Sequence, residues 1–122
     1  MQKKILIIED DIILRELVSK KLSSENFDIL TATDGESGFE AAQVKRPDLI
    51  LLDIILPRMD GFEVLRKLKE DATLSAIPVI MISNLSQKQD IEKSLKLGAV
   101  DYIIKALFTS EEVIDKIKKI LE

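Results

Sequence analysis

A doubly wound parallel α/β sheet is the fold class predicted for this 122-residue sequence, and three observations predict it. Strand-length apolar runs alternate about five times with segments whose apolar residues recur every three or four positions. The connections are short, and parallel strands need crossover helices, which then cover both faces of the sheet. Three of the runs, Lys4 to Ile8, Leu49 to Asp53 and Val79 to Ser83, are apolar along nearly their whole length. That is how strands buried on both faces read, so these three belong in the middle of the sheet.

The first strand runs into Glu9-Asp10-Asp11, and Asp10 or Asp11 can cap the helix that follows. In that helix Leu14, Leu17, Val18 and Leu22 share a face, with Arg15, Glu16, Lys20 and Lys21 between them. Asn26 ends it. Asp28 to Thr33 is a more polar strand and therefore an edge. Asp34-Gly35 turns into a short helix carrying Phe39, Ala41 and Ala42, stopped by Pro47. Beyond Asp53, Pro57 bars any regular continuation, Asp60-Gly61 signals a turn, and Phe62, Leu65 and Leu68 mark a third helix. Pro78 opens the fourth strand. Ile91 and Leu95 mark a fourth helix, closed by Gly98 as a left-handed cap. Tyr102-Ile103-Ile104 is a short last strand. Val113, Ile117, Ile120 and Leu121 line a final helix with Thr109 or Ser110 as its N-cap.

Composition narrows the function classes. Residues 1–122 suffice for one domain with one core, and no linker or repeat divides them. Eighteen basic against 22 acidic residues give a net charge of -4, which argues against nucleic acid or an anionic membrane as the direct partner. There is no cysteine, hence no disulfide or thiolate metal site, and no histidine, the commonest base near neutral pH. No apolar run is long enough for a membrane span, and acids interrupt MQKKILIIEDD too early for a signal peptide. A cytoplasmic domain is the expectation.

The chemistry gathers at the strand ends. The first strand ends in Glu9-Asp10, the third in Asp53, the fourth in Ser83 and the fifth in Lys105. Right-handed crossovers place all of these on one rim, where open parallel sheets bind ligands. Crowded carboxylates raise one another's pKa unless a cation joins them. Oxygen-only donors, with no His or Cys, favour Mg²⁺, which uses one or two carboxylates and keeps positions for phosphate oxygens. A lysine and a hydroxyl beside such a metal suit a transferring phosphoryl group, with Asp53 as the nucleophile forming an acyl phosphate. Singly, each residue has an ordinary role as helix cap, turn former, strand terminator or surface lysine. Their coincidence at four strand ends carries the inference.

The motifs IIEDD, LLDIILPRMDGFEVL, PVIMIS and DYIIK, in this order and spacing, resemble the receiver domain of bacterial response regulators of two-component signalling. The resemblance covers essentially the whole chain. It implies a flavodoxin-like (βα)5 three-layer sandwich with strand order 2-1-3-4-5. That order comes from the likeness to chemotaxis receivers of the family; the apolar pattern alone leaves it open. The resemblance also implies Asp53 as phosphoacceptor, Asp10 as a direct Mg²⁺ ligand and Glu9 as a ligand through water. The backbone carbonyl of Ile55 completes the metal set. Ser83 is the implied switch hydroxyl, Tyr102 the aromatic that turns with it, and Lys105 the contact to the phosphoryl oxygens. Asp11 aligns with no metal position and reads as a helix cap.

Three features depart from the family pattern. Lys105 is followed by Ala106-Leu107-Phe108 where the family has a proline after a cis peptide and then phenylalanine. A cis bond before alanine costs about 2.5–4 kcal/mol, so a trans bond or a rebuilt loop is expected. Asn84 stands where the family prefers a small residue, which would narrow access to Asp53. Ile55 and Leu85 hold the two positions that tune phosphoryl hydrolysis; neither can orient a water, so slow self-dephosphorylation is expected.

The resemblance thus implies a phosphorylation-dependent switch, not an enzyme with a separate substrate. A sensor histidine kinase or phosphotransfer protein supplies the phosphoryl group. Output runs through the surface of the fourth helix, fifth strand and fifth helix, to a downstream protein, an output domain or a homodimer. The charges there, Lys88, Asp90, Lys93, Glu112, Lys116 and Lys118, read first as an ordinary solvated face. The alternative is a receiver-like interaction module that works without phosphate. An aspartate-nucleophile phosphatase would need a cap for which the chain has little room.

Overall fold

In the computed structural model, which describes residues 2–122, the alternation resolves into ten elements. They are β1 (Lys4–Ile8), α1 (Ile12–Ser24), β2 (Asp28–Ala32), α2 (Gly35–Lys45), β3 (Leu49–Leu52), α3 (Gly61–Glu70), β4 (Val79–Ser83), α4 (Lys88–Lys96), β5 (Asp101–Ile104) and α5 (Ser110–Leu121). A single 3-10 turn, Lys105–Leu107, separates β5 from α5. Every strand pair is parallel and the order is β2-β1-β3-β4-β5. The most apolar strands occupy the centre, as their composition requires. Ile8 pairs with Leu52 and Ala32, Leu52 with Met81, and Ser83 with Ile104, so the C-terminal ends of the strands share one rim.

Strand residues alternate between two cores because successive side chains point to opposite faces. Leu6, Ile8, Ile50, Leu52 and Met81 pack with Val64, Leu65 and Leu68 of α3 and Ala42 of α2. Ile5, Ile7, Leu49, Leu51 and Ile80 pack with Val18 and Leu22 of α1 and Val113, Ile114 and Ile117 of α5. The result is the three-layer flavodoxin-like sandwich.

Helix starts follow from local chemistry. Asp11, Asp34, Asp60 and Thr109 are the N-caps of α1, α2, α3 and α5, each side chain accepting from a backbone N–H of the first turn. The Asp60-Gly61 pair, expected as a turn, is cap and first residue of α3. Thr109 and Glu112 form a reciprocal capping box. Thr109→Ala should therefore lower stability by about 1 kcal/mol in urea unfolding. An unchanged midpoint would mean that packing alone holds α5.

Two apolar positions depart from the helical pattern. Leu17 and Leu95 are 45% and 48% exposed. An apolar stripe faces the sheet over a limited arc, and neighbours already occupy it: Val18 in α1 and the fully buried Ser94 in α4. Helix α4 has no side-chain N-cap bond and buries only Ser94 completely. It is the most lightly held helix of the sandwich. Among the described residues, no helix is long and apolar enough to cross a membrane.

Candidate functional site

The rim of the sheet carries a cleft of about 340 Å³ whose lining includes Asp10, Asp53, Ile55, Ser83, Leu85 and Lys105. Asp11 and Asn84 complete the lining; Asn84 is exposed at the edge. Carboxylate oxygens of Glu9, Asp10 and Asp53 lie within 4.8 Å of one another. Glu9 and Asp53 are buried, at 1% and 3% exposure, whereas Asp10 is open to solvent. The backbone enforces this convergence. Asp53 extends the ladder by donating its N–H to the Ile8 carbonyl, and Glu9 does the same toward Ala32, both at 3.0 Å.

Lys105 supplies the countercharge. Its ammonium lies 2.9 Å from Asp53 Oδ2, as a hydrogen bond, and 2.8 Å from Glu9 Oε1. Toward Glu9 the distance is short but the alignment is poor, and Glu9 Oε1 is a buried oxygen without a hydrogen-bond partner. The other oxygens are better served: Glu9 Oε2 accepts from the Asp11 N–H at 3.0 Å and Asp53 Oδ1 from the Ile54 N–H at 2.7 Å. Burial is the main cause that raises the Glu9 carboxyl to about 7, with the nearby Asp53 charge adding and Lys105 and the Asp11 N–H opposing. Burial pulls Lys105 down, but the two carboxylates outweigh it and raise its pKa.

This donor set fits a hard divalent ion. The candidates are all oxygens, one of them buried and short of a partner, and Mg²⁺ takes such ligands together with waters. The cleft thus gathers Glu9, Asp10, Asp53, Ile55, Ser83 and Lys105 from separate parts of the chain. Tyr102 stands beside it, 8% exposed, with its hydroxyl donating to the Leu85 carbonyl at 2.5 Å. Burial raises the Tyr102 pKa, against the opposing effect of the neighbouring Ser83 hydroxyl. Ser83 Oγ also accepts from the Leu85 N–H at 3.3 Å.

The loop after Lys105 is rebuilt. No cis peptide occurs among the described residues, and the 3-10 turn takes up the additional residue. Leu107 points outward, 70% exposed, while Phe108 packs against the core under the Lys116 ammonium, 5.5 Å from the ring centre. The missing proline leaves Lys105 within hydrogen-bond distance of Asp53. One contributor was not legible in the sequence. Arg15, which the sequence placed only as a charged residue between the apolar positions of α1, donates from Nη1 to the Glu9 backbone carbonyl at 2.9 Å and steadies the acidic turn. Its position six residues after Glu9 was the only available signal.

Comparison with known proteins agrees with this geometry. Residues 5–118 match the family described as the response regulator receiver domain. The chain is 40% identical over 118 residues to the DNA-binding dual master transcriptional regulator RpaA of Synechocystis, covering 97% of this chain and 48% of that protein. It spans about half the length of the curated transcriptional regulators it matches. The chemotaxis protein CheY4 of Vibrio cholerae superposes with a TM-score of 0.90 at 25% identity, covering 98% of each chain. The Mn²⁺-bound form of response regulator Rcp1 does so with a TM-score of 0.83 at 28% identity, covering 97% of this chain and 91% of that one. The residues, the fold and the relatives agree, and the chain belongs to the response regulator receiver domain family of two-component systems.

Proposed function

We propose that this domain is a phosphorylation-driven switch of the cytoplasm, with Asp53 as its phosphoacceptor. The observation that carries the proposal is the Lys105 ammonium set between buried Asp53 and buried Glu9, in a cleft that also presents Asp10 and Ser83. An Asp53 carboxylate oxygen attacks the phosphorus of a phosphohistidine or of a small phosphodonor. The new O–P bond forms as the bond to the donor breaks. Asp10 and Asp53 would hold Mg²⁺ through carboxylate oxygens, Ile55 through its backbone carbonyl and Glu9 through water. When bound, the ion would supply positive charge against the phosphoryl oxygens. Lys105 neutralises a further oxygen and Ser83 donates its hydroxyl to another.

Output follows from the same side chains. Once Ser83 is drawn to the phosphoryl group, its contact with the Leu85 N–H is lost and the loop before lightly held α4 can shift population. The surface of α4, β5 and α5 then presents a different face to a downstream protein or output domain. Its charges give homodimerisation no particular support. Lys116 pairs with Asp101 at 2.8 Å and Lys88 lies 3.8 Å from Glu92 within the same chain. A second reading, an interaction module independent of phosphate, draws on Tyr102 being turned inward and on the lost proline.

Intact-mass spectrometry after incubation with a small phosphodonor separates the two. One phosphoryl adduct is expected with Mg²⁺, and none without it or in Asp53→Ala. A folded wild-type protein that takes no adduct from any donor would favour the interaction module.

A further inference from the structure

The segment that follows Asp53 is clamped from two sides, and one clamp belongs to a different part of the fold. On its own side, Gly61 begins α3 directly over the end of β3. A Cβ there would lie 2.7 Å from Ile54 Cα and closer still to the Asp53 carbonyl oxygen. The Gly61 N–H donates to the Ile54 carbonyl at 2.8 Å. From the far side comes Gly35, the first residue of α2. Its N–H donates to the Pro57 carbonyl at 3.3 Å. A Cβ on Gly35 would lie 2.7 Å from the Met59 carbonyl carbon and closer still to its oxygen. Between the clamps the chain is tightly bent: Met59 donates to the Pro57 carbonyl at 2.8 Å, and Arg58 takes a left-handed φ of 70°.

Resting on the phosphoacceptor reading above, we infer that Gly35 is a positioning residue for the metal site. Ile55 lies in the bent segment, and its carbonyl is the one proposed ligand that no side chain aims. The placement of that carbonyl depends on where Pro57 to Met59 sit, and the N-terminus of α2 decides that. Because the obstacle to a Cβ at Gly35 is backbone, no flexible side chain can yield, and the contact between α2 and the segment must itself shift. Mg²⁺ tolerates little departure from octahedral geometry, so a displaced carbonyl weakens binding. Gly38, on the same helix, is the natural control. The nearest atoms a Cβ there meets are Ile8 side-chain carbons, at 2.6–2.8 Å, and none of these belongs to the bent segment.

Isothermal titration with Mg²⁺ on wild type, Gly35→Ala, Gly38→Ala and Asp10→Ala tests this, with thermal unfolding of each. Gly35→Ala is expected to bind about tenfold more weakly, the usual loss when a residue supporting a metal ligand is changed. Gly38→Ala should bind as wild type does, even where it melts earlier. Equal affinity in Gly35→Ala and wild type overturns the inference, as does an equal loss in both glycine variants. Wild-type binding that survives Asp10→Ala, or no binding at all, overturns the underlying phosphoacceptor reading instead. Should Gly35→Ala fail to fold, hydrogen exchange in the wild type decides. Saturating Mg²⁺ is expected to slow the Gly35 amide more than the Gly38 amide, and equal slowing rejects the coupling.

Discussion

Metal-free protein is expected to lose about 2–3 kcal/mol of stability between about pH 5 and pH 8, and Glu9→Gln is expected to abolish most of that loss. The cause is the burial that raises the Glu9 carboxyl from 4.5 to about 7. Between these values the unfolded chain has released the proton while the folded chain still holds it. The folded state therefore binds more protons, and stability falls as pH rises through that window. Asp34, Asp71 and Glu111 have lowered pKa values and act in the opposite sense, but at lower pH. Glutamine keeps the shape of Glu9 and removes the titration, so urea unfolding of the two proteins at both pH values in a chelating buffer measures the effect. Saturating Mg²⁺ should flatten the wild-type slope, since a cation at Glu9 favours its ionised form. Parallel slopes in wild type and Glu9→Gln would show that Lys105 already neutralises Glu9 in the folded state.

Once formed, the phosphoryl group on Asp53 should persist well beyond seconds in Mg²⁺ buffer, and Ile55→Asn should shorten its life by at least about tenfold, below the range for a fully aligned base. Hydrolysis needs a water held in line with the breaking bond. Ile55, 61% exposed, stands at the cleft with no group to hold one. Leu85 is equally apolar and is committed to packing, its side chain against the core and its carbonyl to Tyr102. That makes Ile55 the better place to intervene. An Asn amide there can orient a water while the backbone carbonyl is kept. Following the decay of the adduct by mass spectrometry gives both lifetimes. A wild-type lifetime of seconds, or a variant that decays no faster, would sink the idea that these apolar positions limit hydrolysis.

Much of the fold was legible because strand composition and strand position share one cause. Leu49-Ile50-Leu51-Leu52 can only be central, since four consecutive apolar residues demand cover on both faces. Where adjacent residues compete for one helical face, as Leu17 with Val18 or Leu95 with the small Ser94, periodicity could not say which turns outward. Glu9, Asp10, Asp53, Ser83 and Lys105 were legible as a set because parallel topology brings strand ends to one rim. Their spacing alone did not place Lys105, since Ala106 replaces the proline.

By itself the sequence determined the number and order of elements, the central place of the apolar strands, the oxygen-only donors and the candidate phosphoacceptor. These are consequences of residue type and local periodicity. Only the tertiary structure decided that the 3-10 turn returns Lys105 to within 2.9 Å of Asp53, and that Tyr102 turns inward to Leu85. It also decided that Arg15 braces the acidic turn and that α2 presses on the loop beyond Asp53 through Gly35. Each of these joins residues far apart in the fold or across a rebuilt turn, where position depends on packing and not on neighbours in the chain.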